Sequence, residues 1–176
     1  MKFLEEDSFF LKIIEETDVG ENYLNWMNDY EIVKYTESRF FPHSISSLNE
    51  YVKNVNNQSN VMFAIIDKKT NNHIGNIKLG NINQFHKFAD IGIIIGQKEF
   101  WNKGIGSKAI YLVVNYAFSR LNLRKVFAGI YENNIGSIKA FEKCGFKKSF
   151  VEKDKYFFEG EYIDAIIYEK YNSNYK

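Results

Sequence analysis

Residues 89–107 read Ala-Asp-Ile-Gly-Ile-Ile-Ile-Gly-Gln-Lys-Glu-Phe-Trp-Asn-Lys-Gly-Ile-Gly-Ser, and this stretch decides the fold. Its first seven residues are mostly β-branched and apolar, which is typical of a strand buried on both faces. A glycine-containing loop follows and leads into an apolar stripe with spacings of three and four residues. The stripe consists of Ile105, Ala109, Leu112, Val113, Tyr116 and Ala117. The pattern predicts a central strand over 89–95 and a helix from about Gly104 to Arg120.

The segments after this helix predict how the central strand is partnered. Lys125 to Tyr131 is the expected neighbouring strand, and the order strand, helix, strand implies a right-handed crossover and a parallel pair. Residues 134–144 predict a short helix, with Gly145 in the left-handed conformation that ends it. Two aromatic-rich segments, 147–157 and 161–171, then predict a closing antiparallel hairpin.

The segments before the central strand predict strands and helices of ordinary length. The predicted elements are a strand over 9–16, a helix capped by Thr17 or Asp18 that carries Tyr23, Leu24, Trp26 and Met27, a helix from Ser47 to about Asn56, a strand over 61–66, and a strand over 74–79 after a turn at Asn71-Asn72. No repeat, linker or low-complexity segment interrupts residues 1–176, so we expect a single domain.

The composition excludes several classes of protein. The 176 residues are 45% hydrophobic and carry 23 basic against 22 acidic side chains, so neither nucleic acid nor an anionic membrane is an expected partner. The one cysteine, Cys144, excludes an internal disulfide and a multi-cysteine zinc site. His43, His73 and His86 lack the spacing of metal ligands on a helix, so no metal is expected. The start of the chain becomes acidic where a signal peptide would become apolar, which predicts a cytoplasmic protein.

The glycine loop is the first candidate for chemistry. It precedes a helix, whose first backbone N–H groups have no partner within the helix and attract anions. Gly104 and Gly106 let the backbone approach a phosphate closely, and Lys103 and Lys108 add positive charge. A plain tight turn into a helix is the structural alternative.

Two motifs together resemble the GNAT superfamily of acyl-CoA-dependent N-acetyltransferases. Residues 101–107 are similar to its motif A, Arg/Gln-x-x-Gly-x-Gly/Ala, which grips the pyrophosphate of coenzyme A; here Trp101 takes the first place, as is typical of the branch of ribosomal-protein N-terminal acetyltransferases. Residues 134–146 resemble motif B. The resemblance implies that coenzyme A contacts Trp101, Asn102, Lys103, Gly104, Ile105, Gly106, Ser107, Asn134, Ser137 and Phe141. For Asn134 and Ser137, capping of the helix over 134–144 is the alternative role.

The resemblance also implies an α/β (α+β) fold of the GNAT type. Such a fold has a single mixed, mostly antiparallel sheet, flanked by helices, whose two central parallel strands splay apart at their C-terminal ends. The pantetheine arm of acetyl-CoA, the expected co-substrate, would lie in that gap. Backbone groups near Ile94 and Ile95 would pair with it, and an N–H there would polarise the thioester carbonyl.

Transfer to an amine needs a route for protons. At pH 7 only about one lysine-like amine in 2,500 is neutral, a handicap of roughly 4.6 kcal/mol. Asp90, inside an otherwise apolar strand, is the candidate base, with a structural position at the strand edge as the alternative. Many GNAT enzymes protonate the departing thiolate with a motif B tyrosine, but that position is Phe141 here. The acid is therefore Ser137, a water molecule or no group at all.

The acceptor is the least determined part of the function. The near-neutral charge favours a small-molecule amine, such as an amino sugar or a polyamine, over a basic ribosomal protein. A protein N-terminus is the first alternative, and a non-catalytic module that binds acetyl-CoA is the second. A homodimer is considered as the oligomeric state.

A dinucleotide-binding fold is the rival interpretation of the same loop. Gly104, Gly106 and Ala109 satisfy Gly-x-Gly-x-x-Gly/Ala, and Glu132 could hold a ribose. Against this, residues 96–103 separate the first glycine from the strand, and no further strand-helix-strand unit follows residue 145.

Overall fold

The computed structural model describes residues 1–175 and contains one eight-stranded sheet in the order β1-β2-β3-β4-β5-β6-β8-β7. The strands are β1 (Leu4–Glu5), β2 (Phe9–Ile13), β3 (Val61–Asp67), β4 (His73–Asn83), β5 (Phe88–Ile95), β6 (Lys125–Tyr131), β7 (Lys147–Phe158) and β8 (Glu161–Tyr171). The helices are α1 (Glu21–Asn28), α2 (Tyr30–Val33), α3 (Ile45–Val55), α4 (Ile105–Ser119) and α5 (Ile135–Lys143). β5 and β6 pair in parallel and the other neighbours pair antiparallel, so the predicted fold class is confirmed.

Each face of the sheet packs against its own helices and forms its own core. On one face, which we call the α4 face, Phe63, Ile77 and Ile91 pack with the apolar stripe of α4 and with Phe141 of α5. On the other, which we call the α3 face, Met62 and Ala64 pack with buried residues of α1 and α3. The two cores lie on opposite sides of the central strands, so only a gap between strands could connect the two faces.

Such a gap lies between β5 and β6. Their pairing runs from Phe88↔Lys125 to Asp90↔Phe127 and stops there, although β5 continues to Ile95 and β6 to Tyr131. We call this opening the slot. The expected splay of the central parallel pair is therefore confirmed.

Most predicted elements are confirmed, but several boundaries are wrong, and strand β4 continues to Asn83 instead of ending at Leu79. The first strand ends at Ile13, and residues 16–18 form a short 3₁₀ turn in which the Asp18 carboxylate accepts from the backbone N–H of Glu15. Helix α1 is therefore capped by Gly20 rather than by Thr17 or Asp18. Helix α3 begins at Ile45, because Ser44 and Ser47 form a reciprocal capping box.

The hairpin over β7 and β8 and the left-handed Gly145, with φ 81°, agree with the sequence. Within residues 1–175, every helix is too short or too polar to cross a bilayer.

Candidate active site

A cavity of about 270 Å³ fills the slot and joins the two faces of the sheet. Its walls are β5 from Ile91 to Ile94, β6 from Ala128 to Tyr131, and Phe141 of α5. Gly92 contributes no side chain, and a Cβ built there would meet nothing within 4 Å, so the space over β5 is open. On the α3 face the cavity is bordered by Tyr35, Thr36, Tyr51, Met62, Asn76 and Lys78.

The glycine loop lies at the start of α4 with its backbone N–H groups available. Asn102 and Gly104 adopt the left-handed conformation, with φ 59° and 76°, and no side chain caps the helix. The Ser107 hydroxyl donates to the Gly104 carbonyl at 3.0 Å and so turns away from the N–H groups. A Cβ built on Gly106 would lie 3.9 Å from Ile93 Cδ1, which places this helix end beside the slot. The arrangement suits an anion held at the mouth of the slot.

The side chains predicted to assist the loop are already engaged. The Trp101 indole N–H donates to the Ile95 carbonyl at 2.8 Å, which fixes the loop to the end of β5. The Lys103 ammonium lies 5.5 Å from the centre of the Phe100 ring, and Lys108 pairs with Glu6 at 3.1 Å. The loop therefore offers an anion mainly its backbone.

The direction of the β5 backbone differs from the expectation for Ile94. The N–H of Gly96 donates to Ile74 on β4, and the carbonyl of Lys87 accepts from Lys125 on β6. Because successive residues of a strand point their backbone groups to opposite sides, Ile93 and Ile95 face the slot and Ile94 faces β4. The side chain of Ile94 lines the cavity on the α3 face.

Helix α5 closes the slot from the α4 face. The Asn134 side chain caps the helix by accepting from the Ser137 N–H at 3.2 Å, and both residues line the cavity. Phe141 is 2% exposed and packs edge-on against Phe146. The Cys144 thiol donates to the Ser107 carbonyl at 3.0 Å, and burial raises its pKa, which makes it a poor nucleophile.

Asp90 lies at the deep end of the slot, where the pairing of β5 and β6 stops. Its Oδ1 accepts from the Asn81 side chain at 3.2 Å and occupies the space that a Cβ on Gly80 would need. Asp90 does not border the cavity itself; it shares a face of β5 with Gly92, two residues further on, which does. A carboxylate near the open space above Gly92 could accept a proton from a bound amine, either directly or through one water molecule.

An aromatic wall stands on the β6 side of the slot. The Tyr131 ring lines the cavity and stacks on Tyr156 of β7 at 3.9 Å. Arg39 donates to the Tyr131 hydroxyl at 2.7 Å. The Tyr156 hydroxyl lies over Gly129, 3.0 Å from the position that a Cβ would take if this residue had a side chain. Burial, followed by the neighbouring Tyr131 and Glu152, raises the pKa of Tyr156, so its phenol keeps its proton at neutral pH.

The remaining candidates for other chemistry are metal ligands and Glu132. Within residues 1–175, no three His, Cys, Asp or Glu side chains come close enough together to hold a metal ion. The Glu132 carboxylate accepts from the Asp164 backbone N–H at 3.0 Å, which fixes it to β8 rather than presenting it to a ribose beside the glycine loop.

The match to a known family covers most of the chain. The model of the acetyltransferase (GNAT) domain matches residues 9–147. This span includes the glycine loop, both strands that border the slot and helix α5.

Individual relatives and solved structures agree over nearly the whole length. The chain is 29% identical over 167 residues to the uncharacterized N-acetyltransferase p20 of Bacillus licheniformis, covering 92% of this chain and 90% of that protein. It is 28% identical to the spermidine N(1)-acetyltransferase of Vibrio cholerae, covering 84% and 86%. The crystal structure of spermidine N-acetyltransferase from Vibrio cholerae in complex with CoA and spermine superposes with a TM-score of 0.85 at 27% identity, covering 97% and 99%.

Proposed function

The chain belongs to the GNAT acetyltransferase family, and from this premise we propose that it transfers the acetyl group of acetyl-CoA to the primary amine of a small molecule. The slot between β5 and β6 is the observation that supports this proposal. It opens at one end beside the uncapped start of α4 and at the other into an aromatic-lined space on the α3 face. A thioester at one end and an amine at the other could therefore meet within the sheet.

The residues around the slot fit coenzyme A. When bound, acetyl-CoA supplies a thioester whose carbonyl carbon an amine can attack directly. The N–H groups of residues 105–107 would hold its diphosphate, since no side chain caps this helix. The backbone of Ile93 and Ile95 would hold the pantetheine amides as a missing strand would, with an N–H of this edge polarising the thioester carbonyl. Asn134, Ser137 and Phe141 would line the same arm.

Asp90 would accept the proton of the incoming amine. Its carboxylate lies at the end of the slot where the strands still pair, and Gly92 leaves room for an amine or a water molecule between it and the cavity. The Asn81 side chain holds Asp90 Oδ1, which leaves the second oxygen to act. A base here would relieve the roughly 4.6 kcal/mol cost of deprotonating a lysine-like amine at pH 7.

Tyr156 would supply the proton that Phe141 cannot. Its hydroxyl stands over Gly129, at the wall of the slot opposite β5, and burial keeps its pKa high enough for the phenol to remain protonated. The parallel ring of Tyr131 and the guanidinium of Arg39 fix this wall. We prefer Tyr156 to Ser137, a water molecule or no acid at all, because its phenol stands over Gly129, which lines the cavity.

Three narrower assignments from the sequence remain predictions. These are the branch of ribosomal-protein N-terminal acetyltransferases, a cytoplasmic location and a homodimer. The relatives named spermidine N-acetyltransferases support a small-molecule acceptor instead of a protein N-terminus.

The test is release of free coenzyme A from acetyl-CoA by the purified chain with small amines and, in a separate arm, a peptide with a free N-terminus. Turnover with a small amine and a product heavier by one acetyl group are expected. Binding of acetyl-CoA without turnover on any amine would instead identify a non-catalytic module.

A further inference from the structure

The α3-face end of the cavity carries an unusual pair of polar residues on β4. Asn76 and Lys78 are two residues apart and therefore point to the same face, and both border the cavity. Asn76 is only 4% exposed. The same face of the neighbouring β3 is filled by Met62 and Ala64, so this pair interrupts an apolar surface.

His73 fixes which end of the Asn76 carboxamide faces the cavity. The Nε2 atom of His73 lies 3.0 Å from the Gly75 carbonyl and 2.8 Å from Asn76 Oδ1, whereas Nδ1 has only the Asp18 carbonyl at 3.3 Å. A backbone carbonyl can only accept, and the Gly75 carbonyl is closer to Nε2 than the Asp18 carbonyl is to Nδ1, so the proton lies on Nε2 and Asn76 offers its oxygen to His73. Since Asn76 borders the cavity, its NH₂ group is the end of the carboxamide that is available there as a donor.

Lys78 adds a positive charge beside this donor. Within residues 1–175, no carboxylate lies within 4.0 Å of its ammonium group, and the residues that border the cavity include no Asp or Glu. Two carboxylates lie outside the cavity wall: Asp90, which we propose as the base and whose Oδ1 flanks Gly80 together with Lys78 Cε, and Glu50, which lines an adjoining cleft shared with Tyr51 and Lys78. The end of the cavity therefore presents donors and one cation to whatever binds there.

We propose that Asn76 and Lys78 bind an oxyanion of the acceptor, so that the substrate is an amine that also carries a carboxylate or a phosphate. This inference rests on the proposed function and narrows its substrate class. An anionic group on the β4 side would leave the amine of the same molecule free to lie over Gly92, between Lys78 and the slot. A polyamine would instead bring further positive charges against Lys78, with no carboxylate on the cavity wall to receive them.

The experiment compares matched amines at neutral pH, with acetyl-CoA and release of free coenzyme A as the readout. One pair is ethanolamine and O-phosphoethanolamine, a second is cadaverine and 6-aminohexanoate, and spermidine is a further cation. We expect the anionic member of each pair to have the higher kcat/KM, by roughly tenfold to a hundredfold for one charge-assisted contact. The two pairs separate phosphate from carboxylate recognition.

Substitutions test whether Lys78 causes the preference for anionic amines. Lys78→Met should remove the preference for the anionic member, by lowering kcat/KM for the anionic amines and raising it for cadaverine and spermidine, and Lys78→Glu should reverse the preference. Lys53→Met, on the exposed side of α3, is the control and should change neither rate. Binding of the same amines in the presence of coenzyme A, measured by calorimetry, should follow the same order.

Two different failures can be told apart. A higher kcat/KM for spermidine or cadaverine, or an equal loss for both members in Lys78→Met, would overturn the acceptor class and leave the acetyltransferase function in place. Absence of turnover with every amine, together with absence of coenzyme A binding, would reject the proposed function and the acceptor class with it.

Discussion

The rings of Tyr131 and Tyr156 lie parallel with their centroids 3.9 Å apart, which brings a hydroxyl from the terminal hairpin to the wall of the slot. Tyr131 is the last residue of β6, whereas Tyr156 belongs to β7, two positions away in the sheet. The stack therefore joins the hairpin to the strand that borders the proposed reaction site.

Tyr156→Phe should lower kcat by about a hundredfold, since general acid catalysis contributes on this order, while the affinity for acetyl-CoA stays the same. Steady-state rates and calorimetric binding measure the two quantities. Tyr162→Phe removes a hydroxyl from the same hairpin at a residue that is 66% exposed, and it should leave kcat unaltered. Equal rates for Tyr156→Phe and wild type would show that the leaving thiolate needs no help from this phenol.

Gly106→Val should abolish binding of acetyl-CoA with little change in the melting temperature. The Cβ of a new side chain has room beside Ile93, but the remaining atoms would project into the proposed diphosphate site. Valine in a helix costs only about half a kcal/mol relative to the best helix formers, so the fold should persist. Gly106→Ala is the graded control and should weaken binding less. Undiminished affinity in Gly106→Val would remove the loop from the cofactor site.

Asp90→Asn should reduce turnover far more at pH 7 than at pH 9. At pH 9 a lysine-like amine is deprotonated about a hundred times more often than at pH 7, so the enzyme depends less on a base. The measurement is kcat/KM for one amine at both pH values, with acetyl-CoA saturating. A loss of the same size at both would assign Asp90 a structural role at the end of the strand pairing.

The stability of the fold should fall as the pH drops from 7 to 5, through protonation of His73. Burial between Tyr23 and Trp26 lowers the pKa of this imidazole below its ordinary value of about 6.5. The unfolded chain therefore takes up a proton first, and stability present above pH 6.5 is lost as the pH falls toward the folded-state pKa. Urea unfolding at pH 7.5 and 5.5 should show this loss in wild type and a smaller one in His73→Gln. Identical losses would point to other groups.

Cys144→Ala should retain kcat within about twofold, because direct attack of the amine needs no thiol and burial raises the pKa of this one. A stability loss of about 1 kcal/mol is expected from the emptied space at this buried site. Loss of turnover with intact acetyl-CoA binding would instead indicate an acetylated cysteine.

The elements that the sequence predicted well are those with a long, regular pattern. The β-branched run of β5 and the apolar stripe of α4 are such patterns, and both contribute to the core on the α4 face. Boundaries failed where polar side chains compete for the same backbone N–H groups. Ser44 and Ser47 both qualify as caps of α3, and the choice depends on their reciprocal bonds.

The sequence predicted those parts of the candidate site that lie within one continuous segment, but not the contacts between distant segments. The loop before α4 and the cap of α5 carry local signals. Tyr156 reaches the slot only because β7 joins the sheet beyond β8, and no local pattern encodes that distance. The direction of the Ile94 backbone depends on which edge of β5 pairs with β4. Asn76 and Lys78 did leave a signal, as polar residues that alternate with Ile77 and Leu79 in β4.

The pairing of β5 with β6 ends after Asp90↔Phe127, and this leaves main-chain groups of β5 without a strand partner, where we propose that the amides of pantetheine bind. Amide groups are the same whichever side chain they bear. Most side chains along this edge can therefore be substituted without loss of binding to the thioester donor. Substitutions on the neighbouring β4 surface can meanwhile change which acceptor binds. A protein built this way keeps one half of its chemistry constant and leaves the other half open to selection.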